Sequence, residues 1–290
     1  MKKLLILSSL AILTLLVSCK QSNKTILEEE TNNLVESSDI EMSNISSAKS
    51  RKEVDQTLKK YINSENVENF ISYVKDYNET IENKSLNAEF QKNIEPNYDL
   101  KNIDELWASK KGDFIGTNCR INTYLILKDD IKIKNKIPYD DSLLFLDKNS
   151  INSAKIFNKT EEDNFYRLFS KVNTQPTKEY QIHAKNMEEH LSNFKFNKNV
   201  DMVSVVIHDN LDDDCLFIGH VGVLVSQGSK YLWVEKLSFQ EPYQAIKFST
   251  KDECYNYLYD KYKIYTDETT SNPFIMNNNK LVKLDAYENK

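Results

Sequence analysis

Apolar positions spaced three and four apart mark the first third of the chain. Val54, Leu58, Tyr61 and Ile62 share one helical face, and Val67, Phe70, Ile71, Val74 and Tyr77 share a second. Ser50-Arg-Lys-Glu53 has the form of a capping box ahead of the first stripe. Ile103, Leu106 and Trp107 mark a shorter third helix. The segment after Cys119 breaks this amphipathic habit. Ile121, Tyr124, Leu125, Ile126 and Leu127 leave almost no polar face, which predicts a short helix buried on all sides. Thr160-Glu-Glu-Asp163 opens another helix, and Tyr180, Ala184, Met187, Leu191 and Phe194 stripe a longer one.

The pattern then changes. Residues 202–207 and 216–225 read as strands joined by the polar turn 209–214, and residues 230–236 follow as a third strand. Thr250-Lys-Asp-Glu253 caps a last helix running to about Tyr262. Helices first and adjacent strands afterwards predict an α+β fold with an antiparallel sheet.

The amino terminus follows a different rule. Lys2-Lys3, an apolar run from Leu4 to Val17, then Ser18 and Cys19 describe an export signal too short to span a bilayer comfortably. Leu16-Val-Ser-Cys19 resembles the lipobox of bacterial lipoproteins. The resemblance implies a signal peptide at 1–18, a lipidated Cys19 carrying a chain such as palmitate, and placement on the outer side of the cell membrane. Residues 19–49, rich in Ser, Asn and Glu without a sustained period, read as a tether. Residues 50–290 are then long enough for one well-buried domain, with a helical lobe at about 50–110 and a helical insertion at about 155–195.

Charge narrows the partners. Loss of Lys2 and Lys3 with the leader leaves 36 basic against 44 acidic residues, a net charge of −8. Such a surface disfavours nucleic acid and anionic lipid, whose capture depends on Lys and Arg. The lipid on Cys19, not a basic patch, would hold the chain at the membrane. Oligomeric state is not legible in the sequence. Besides Cys19 only Cys119, Cys215 and Cys254 remain, too few for a disulfide scaffold. Cys215 and Cys254 read as small core residues, with a bridge between them as the alternative.

The chemistry concentrates at two places. Cys119 lies in Gly116-Thr-Asn-Cys-Arg-Ile-Asn122, where Thr117 or Asn118 can cap the buried helix and put the thiol in its first turn. Unpaired N–H groups there, with Arg120 beside them, favour a thiolate. His220 lies in Phe217-Ile-Gly-His-Val-Gly-Val223 on an apolar strand. Gly228 supports a tight hairpin after it. With Gln227 and Gly228 as the loop, Val221 faces Val234, Gly222 meets Trp233, and His220 falls opposite Glu235, which would hold the ring. Gly222 then leaves room above the sheet for thiol or substrate. Gln240 and Glu241 are the fallback partners of the imidazole. Three of the five glycines, Gly116, Gly219 and Gly222, lie within three residues of Cys119 or His220.

At these residues the chain resembles the papain-like cysteine peptidases and amidases, NlpC-type cell-wall hydrolases in particular. In them a cysteine opens a helix, a histidine follows on a strand in a His-Val-Gly setting, and a polar residue on the next strand orients the ring. Residues 100–275 also look like an uncharacterised family of bacterial lipoproteins, through the two segments above and Val234-Glu-Lys-Leu-Ser-Phe-Gln-Glu-Pro-Tyr-Gln-Ala-Ile-Lys-Phe248. The resemblance implies an antiparallel sheet packed on a buried nucleophile helix, with added helices.

Together these readings predict a Cys119, His220, Glu235 triad acting on peptide or amide bonds, as a hydrolase or an acyl or amide transferase, with cell-wall peptide as the expected substrate. Thr117, Asn118, Arg120, Trp233 and Gln240 are the expected oxyanion or substrate contacts. The rival reading is a non-catalytic lipoprotein binding a peptide or wall fragment on the same scaffold. His183 and His190 fall on the stripe of one helix and read as core, and His208 ends a strand. The aspartates of 209–214 lack EF-hand spacing, and no HExxH, CxxC, P-loop or GxGxxG occurs, so neither a metal nor a cofactor is expected.

Overall fold

A computed structural model describes residues 40–92 and 94–287. The leader, Cys19 and the tether as far as Asp39 lie outside the described residues. No helix among the described residues is long and apolar enough to cross a membrane.

Strand β1 (Glu41–Ser43) comes first. Residues 40–49, expected in the tether, are therefore part of the fold. Ser43 and Asn44 are fully buried, and the Asn44 amide donates to Tyr98 Oη at 2.7 Å and the Tyr243 carbonyl at 2.8 Å. Isolated polar residues with buried partners carry no hydrophobic period, which is why this entry strand is invisible in the sequence. Helix α1 (Ala48–Leu58) is capped by Ser47, whose side chain accepts from Ser50 N–H, three residues earlier than the expected cap. Helix α2 (Ser64–Thr80), the short strand β2 (Gln91–Lys92) and helix α3 (Leu100–Lys111) follow. Helix α4 (Cys119–Leu127) buries every residue but Arg120, as its apolar surround requires.

The middle of the chain holds β3 (Lys132–Ile133), α5 (Phe145–Ala154), α6 (Lys159–Phe169), β4 (Val172–Asn173), α7 (Tyr180–Leu191) and β5 (Phe194–Lys195). Helix α5 and the end of α7 before Phe194 depart from the expected pattern. The α6 cap is Asn158, which forms a capping box with Glu161, two residues upstream of the helix start expected at Thr160. Four long strands come next, β6 (Asp201–Asp209), β7 (Cys215–Gln227), β8 (Lys230–Lys236) and β9 (Tyr243–Phe248). Helix α8 (Lys251–Tyr262), capped by Thr250 as expected, precedes β10 (Phe274–Asn277) and β11 (Lys280–Leu281).

The described residues form a mixed α+β fold of eight α-helices around a large antiparallel sheet, ordered β11-β10-β6-β7-β8-β9-β1-β2, with β4 against the start of β7, while β3 and β5 pair as a separate two-stranded sheet. Helices cover both faces. Phe70 of α2 packs on Tyr243, with ring centroids 5.7 Å apart. Tyr257 of α8 packs on Phe248 at 5.6 Å. Residues 243 and 248 point to opposite sides of β9, because successive strand side chains alternate.

Two irregularities in β7 shape the site. Opposite the step from Val205 to Val206 the register slips between Ile218 and His220, so Gly219 is the extra residue of a bulge. A Cβ there would lie 2.3 Å from Ile207 Cδ1. The hairpin ladder also ends early, at Val223–Val234.

Candidate active site

Asn118 is the cap of α4, its side-chain oxygen accepting from Ile121 N–H at 3.0 Å. Cys119 is thereby the first helical residue, where the backbone N–H groups have no partner inside the helix. The helix is then fastened to the stretch of β7 that β8 does not reach. Arg120 Nη1 donates to the Ile218 carbonyl at 3.1 Å, and Thr123 Oγ1 to the Val221 carbonyl at 3.2 Å. Free strand carbonyls have to be satisfied, and these side chains do so.

His220 stands on that same stretch. Its Nε2 and Glu235 Oε2 are 2.5 Å apart, with both side chains buried to 1 % exposure or less. Glu235 so occupies one ring nitrogen and leaves Nδ1 for Cys119, whose charge and that of the ring favour each other. The expected register is corrected on the way. Pairing runs Val223 with Val234 and Gln227 with Lys230, so Gly228 and Ser229 form the loop and the strands are offset by two residues. An even offset keeps every side chain on its face. Glu235 therefore meets His220 diagonally instead of directly opposite.

The electrostatics favour an ion pair. Burial pushes the Cys119 thiol up, but the His220 charge, the hydrogen bond to it and the Arg120 charge outweigh burial and bring it below its ordinary value. Burial works against a charge on His220 as well, and Cys119 with Glu235 override it, raising the ring to about 9. Glu235 lies below its usual range despite burial, through Lys261 and His220. Lys261 Nζ stands 3.9 Å from Glu235 Oε1. The opposite holds at the other two thiols, both free. Burial pushes Cys215 up to about 11 and Cys254 well above its ordinary value.

The remaining expected contacts divide. Thr117 Oγ1 accepts from Asn122 Nδ2 at 2.9 Å beneath Tyr243, and the Asn118 amide donates to Asp147 at 2.8 Å. Arg120 holds Asp147 through Nε and Nη2, at 3.0 and 2.7 Å. These three side chains shape the helix start. Trp233 is fully buried, and its ring fills the space over Gly222, where a Cβ would lie 2.6 Å from the indole. The opening expected at Gly222 belongs to that ring, not to thiol or substrate. Gln240 alone keeps an exposed side chain, while its backbone carbonyl accepts from Tyr77 Oη.

Two members of the site escaped the sequence reading. Asp147, fully buried on α5, ties Arg120 and Asn118 together. An acid closing the run Leu143-Leu-Phe-Leu146 was its only signal. Tyr262, the last residue of α8, stacks on His220 at 4.8 Å with 18° between planes. Nothing local marks it.

A family model described as a domain of unknown function, DUF4300, matches residues 41–282. The chain belongs to that family. The match begins at the first residue of β1 and ends just beyond β11, so β1 and the whole sheet belong to the DUF4300 unit. No curated protein matches the chain, and no solved structure does. Among the described residues no cluster of three or more His, Cys, Asp or Glu is placed to hold a metal ion. The rings of His183 and His208 do lie 4.3 Å apart, tilted by 42°. Their nitrogens are taken by Thr174, the Thr177 carbonyl, Asp214 and Ser271 N–H.

Proposed function

We propose that this DUF4300 chain is a cysteine hydrolase of papain-like layout, or a transferase using the same acyl-enzyme chemistry. The observation that carries the reading is the buried relay in which Glu235 holds His220 at 2.5 Å while the ring and Cys119, at a helix start, favour each other's charged forms. In this reading the Cys119 thiolate attacks a carbonyl carbon, and the developing oxyanion takes the free N–H of Cys119. The His220 imidazolium gives its proton to the leaving amine. Water, activated by the same ring, then attacks the thioester carbonyl and frees the thiol. Glu235 keeps Nε2–H in place throughout. Lipidation at Cys19 would hold the domain on the outer face of a bacterial membrane, where peptide and amide bonds of the cell wall are the substrates within reach.

One observation favours the rival reading, a peptide-binding lipoprotein without catalysis. Cys119 is 5 % exposed and His220 1 %, so a ligand has to displace a cover before reaching sulfur.

Iodoacetamide labelling of the full chain at neutral pH, followed by mass spectrometry, separates the two. The hydrolase reading expects Cys119 to label well ahead of Cys215 and Cys254, and His220→Ala to abolish that lead. Equal slow labelling of all three, with wall peptides left intact, overturns it in favour of the binder.

A further inference from the structure

Beside the relay lies a lysine that the mechanism above does not use. Lys236 follows Glu235 on β8, points to the opposite face of the strand, and is 1 % exposed. Its Nζ donates to the Ser238 carbonyl at 2.7 Å, the Phe239 carbonyl at 3.3 Å and the Glu241 carbonyl. Tyr77 Oη takes the one carbonyl left over, that of Gln240. All four carbonyls of the loop 238–241 are thus turned inward and bound by two side chains.

Three acceptors match the three N–H bonds of an ammonium, whereas a neutral amine would leave one carbonyl unpaired. The rings of Tyr77 and Tyr243, centred 4.0 and 5.2 Å from Nζ, add cation–π attraction. Burial pulls the lysine well below its ordinary value, while Glu241 and Cys119 oppose that pull. Charge coupling is reciprocal, so a charge on Lys236 also favours the Cys119 thiolate.

The loop that Lys236 gathers abuts the approach to the thiol. The Phe239 carbonyl is 3.3 Å from where a Gly116 Cβ would sit, three residues before Cys119. Gly116 has φ +86°, and Trp107 Cζ2 would lie 3.2 Å from the same Cβ. A side chain at Gly116 would press on Trp107 and on the loop together. The titratable groups around Nζ are Tyr77 from α2, Tyr243 from β9, Glu241 from the loop and Cys119 from α4.

We propose that Lys236 is a positioning residue for Cys119: as an ammonium it clamps the 238–241 loop against Gly116 as a fixed lip of the thiol site, and its charge helps hold the sulfur as thiolate. This rests on the cysteine-hydrolase reading and names a device that reading does not contain.

The test uses the full chain and three variants, Lys236→Met, Lys236→Arg and Tyr77→Phe. Two readouts are followed, the pH midpoint of Cys119 alkylation and chymotryptic cleavage after Phe239. Lys236→Met is expected to raise the midpoint, with labelling below it falling about tenfold for each unit of rise, and to open the Phe239 bond to cleavage. Lys236→Arg should restore the midpoint in part. Tyr77→Phe removes one loop contact without touching the charge, so it should increase cleavage and leave the midpoint in place. It also keeps the test alive should Lys236→Met not fold. A folded Lys236→Met with unchanged midpoint and an uncut loop overturns the proposal, as does a resistant loop in Tyr77→Phe should the Lys236→Met chain not fold. Failure of the parent chain to label preferentially at Cys119 would instead count against the hydrolase reading itself.

Discussion

Asp147 illustrates how one side chain can set the geometry of another's chemistry. Its two oxygens accept from Arg120 and from Asn118, the residues on either side of Cys119. Burial works against the Arg120 charge, and Asp147 more than restores it. Removing one partner of a buried ion pair leaves the other uncompensated, which costs about 3–5 kcal/mol. Asp147→Ala is therefore expected to lose stability of that order in urea unfolding. It should also blunt Cys119 labelling, because Asn118 and Arg120 lose the anchor that places them beside the thiol, an effect that outweighs the loss of a negative charge which by itself raises the thiol. A change under 1 kcal/mol would show that the pair does not hold the helix start. The Cys119, His220 and Glu235 trio was legible in the sequence because each sits in a telling local frame: a capped apolar helix, a glycine-flanked strand, the far arm of a hairpin. Asp147 and Tyr262 were not, since each acts only through a neighbour distant in the chain.

At the scale of elements, the β7–β8 hairpin shows what pattern settles and what it leaves open. Alternation of apolar residues assigns faces, and the two-residue error in register left every face correct. What alternation does not contain is where pairing stops. The ladder ends at Val223–Val234, and α4 takes over carbonyls of β7 beyond it. Gly222 stands next to that end, with the Trp233 ring and the Val234 carbonyl each 2.6 Å from a would-be Cβ. Gly222→Ala must displace a packed indole or backbone, and overpacking of this kind costs about 1–3 kcal/mol. Thermal unfolding of Gly222→Ala should show that loss, and a Tm equal to that of the parent would mean the indole moves freely. The entry strand β1 and helix α5 were missed for a related reason. Both are held by polar partners far away in sequence, and neither carries an apolar period of its own.

Across the whole molecule, two buried histidines outside the site tie stability to pH. Burial lowers both His183 and His190 below the ordinary 6.5. The unfolded chain then binds protons first as pH falls, so stability is full above about 6.5 and declines as pH drops through that value toward the folded ones. Tm is expected to fall between pH 6 and pH 5, below the range in which His220, raised to about 9 in the fold, still adds stability as pH drops. His190→Leu, which also leaves the Leu168 carbonyl without its partner, should lower Tm at neutral pH but make the acid decline shallower. An unchanged slope would show that His190 is not among the groups responsible.

By itself the sequence determined the class of fold, the burial of the α4 helix, the faces of the central strands, and the candidate thiol, imidazole and carboxylate. Those properties depend on neighbours within a turn or a strand length, where periodicity and capping act. Only the tertiary structure decided the register, the bulge at Gly219, the Asp147 anchor, the Tyr262 cover and the Lys236 clamp. Each of these arises where distant segments compete for the same space, hydrogen bonds or charge, and a linear pattern carries no record of that competition.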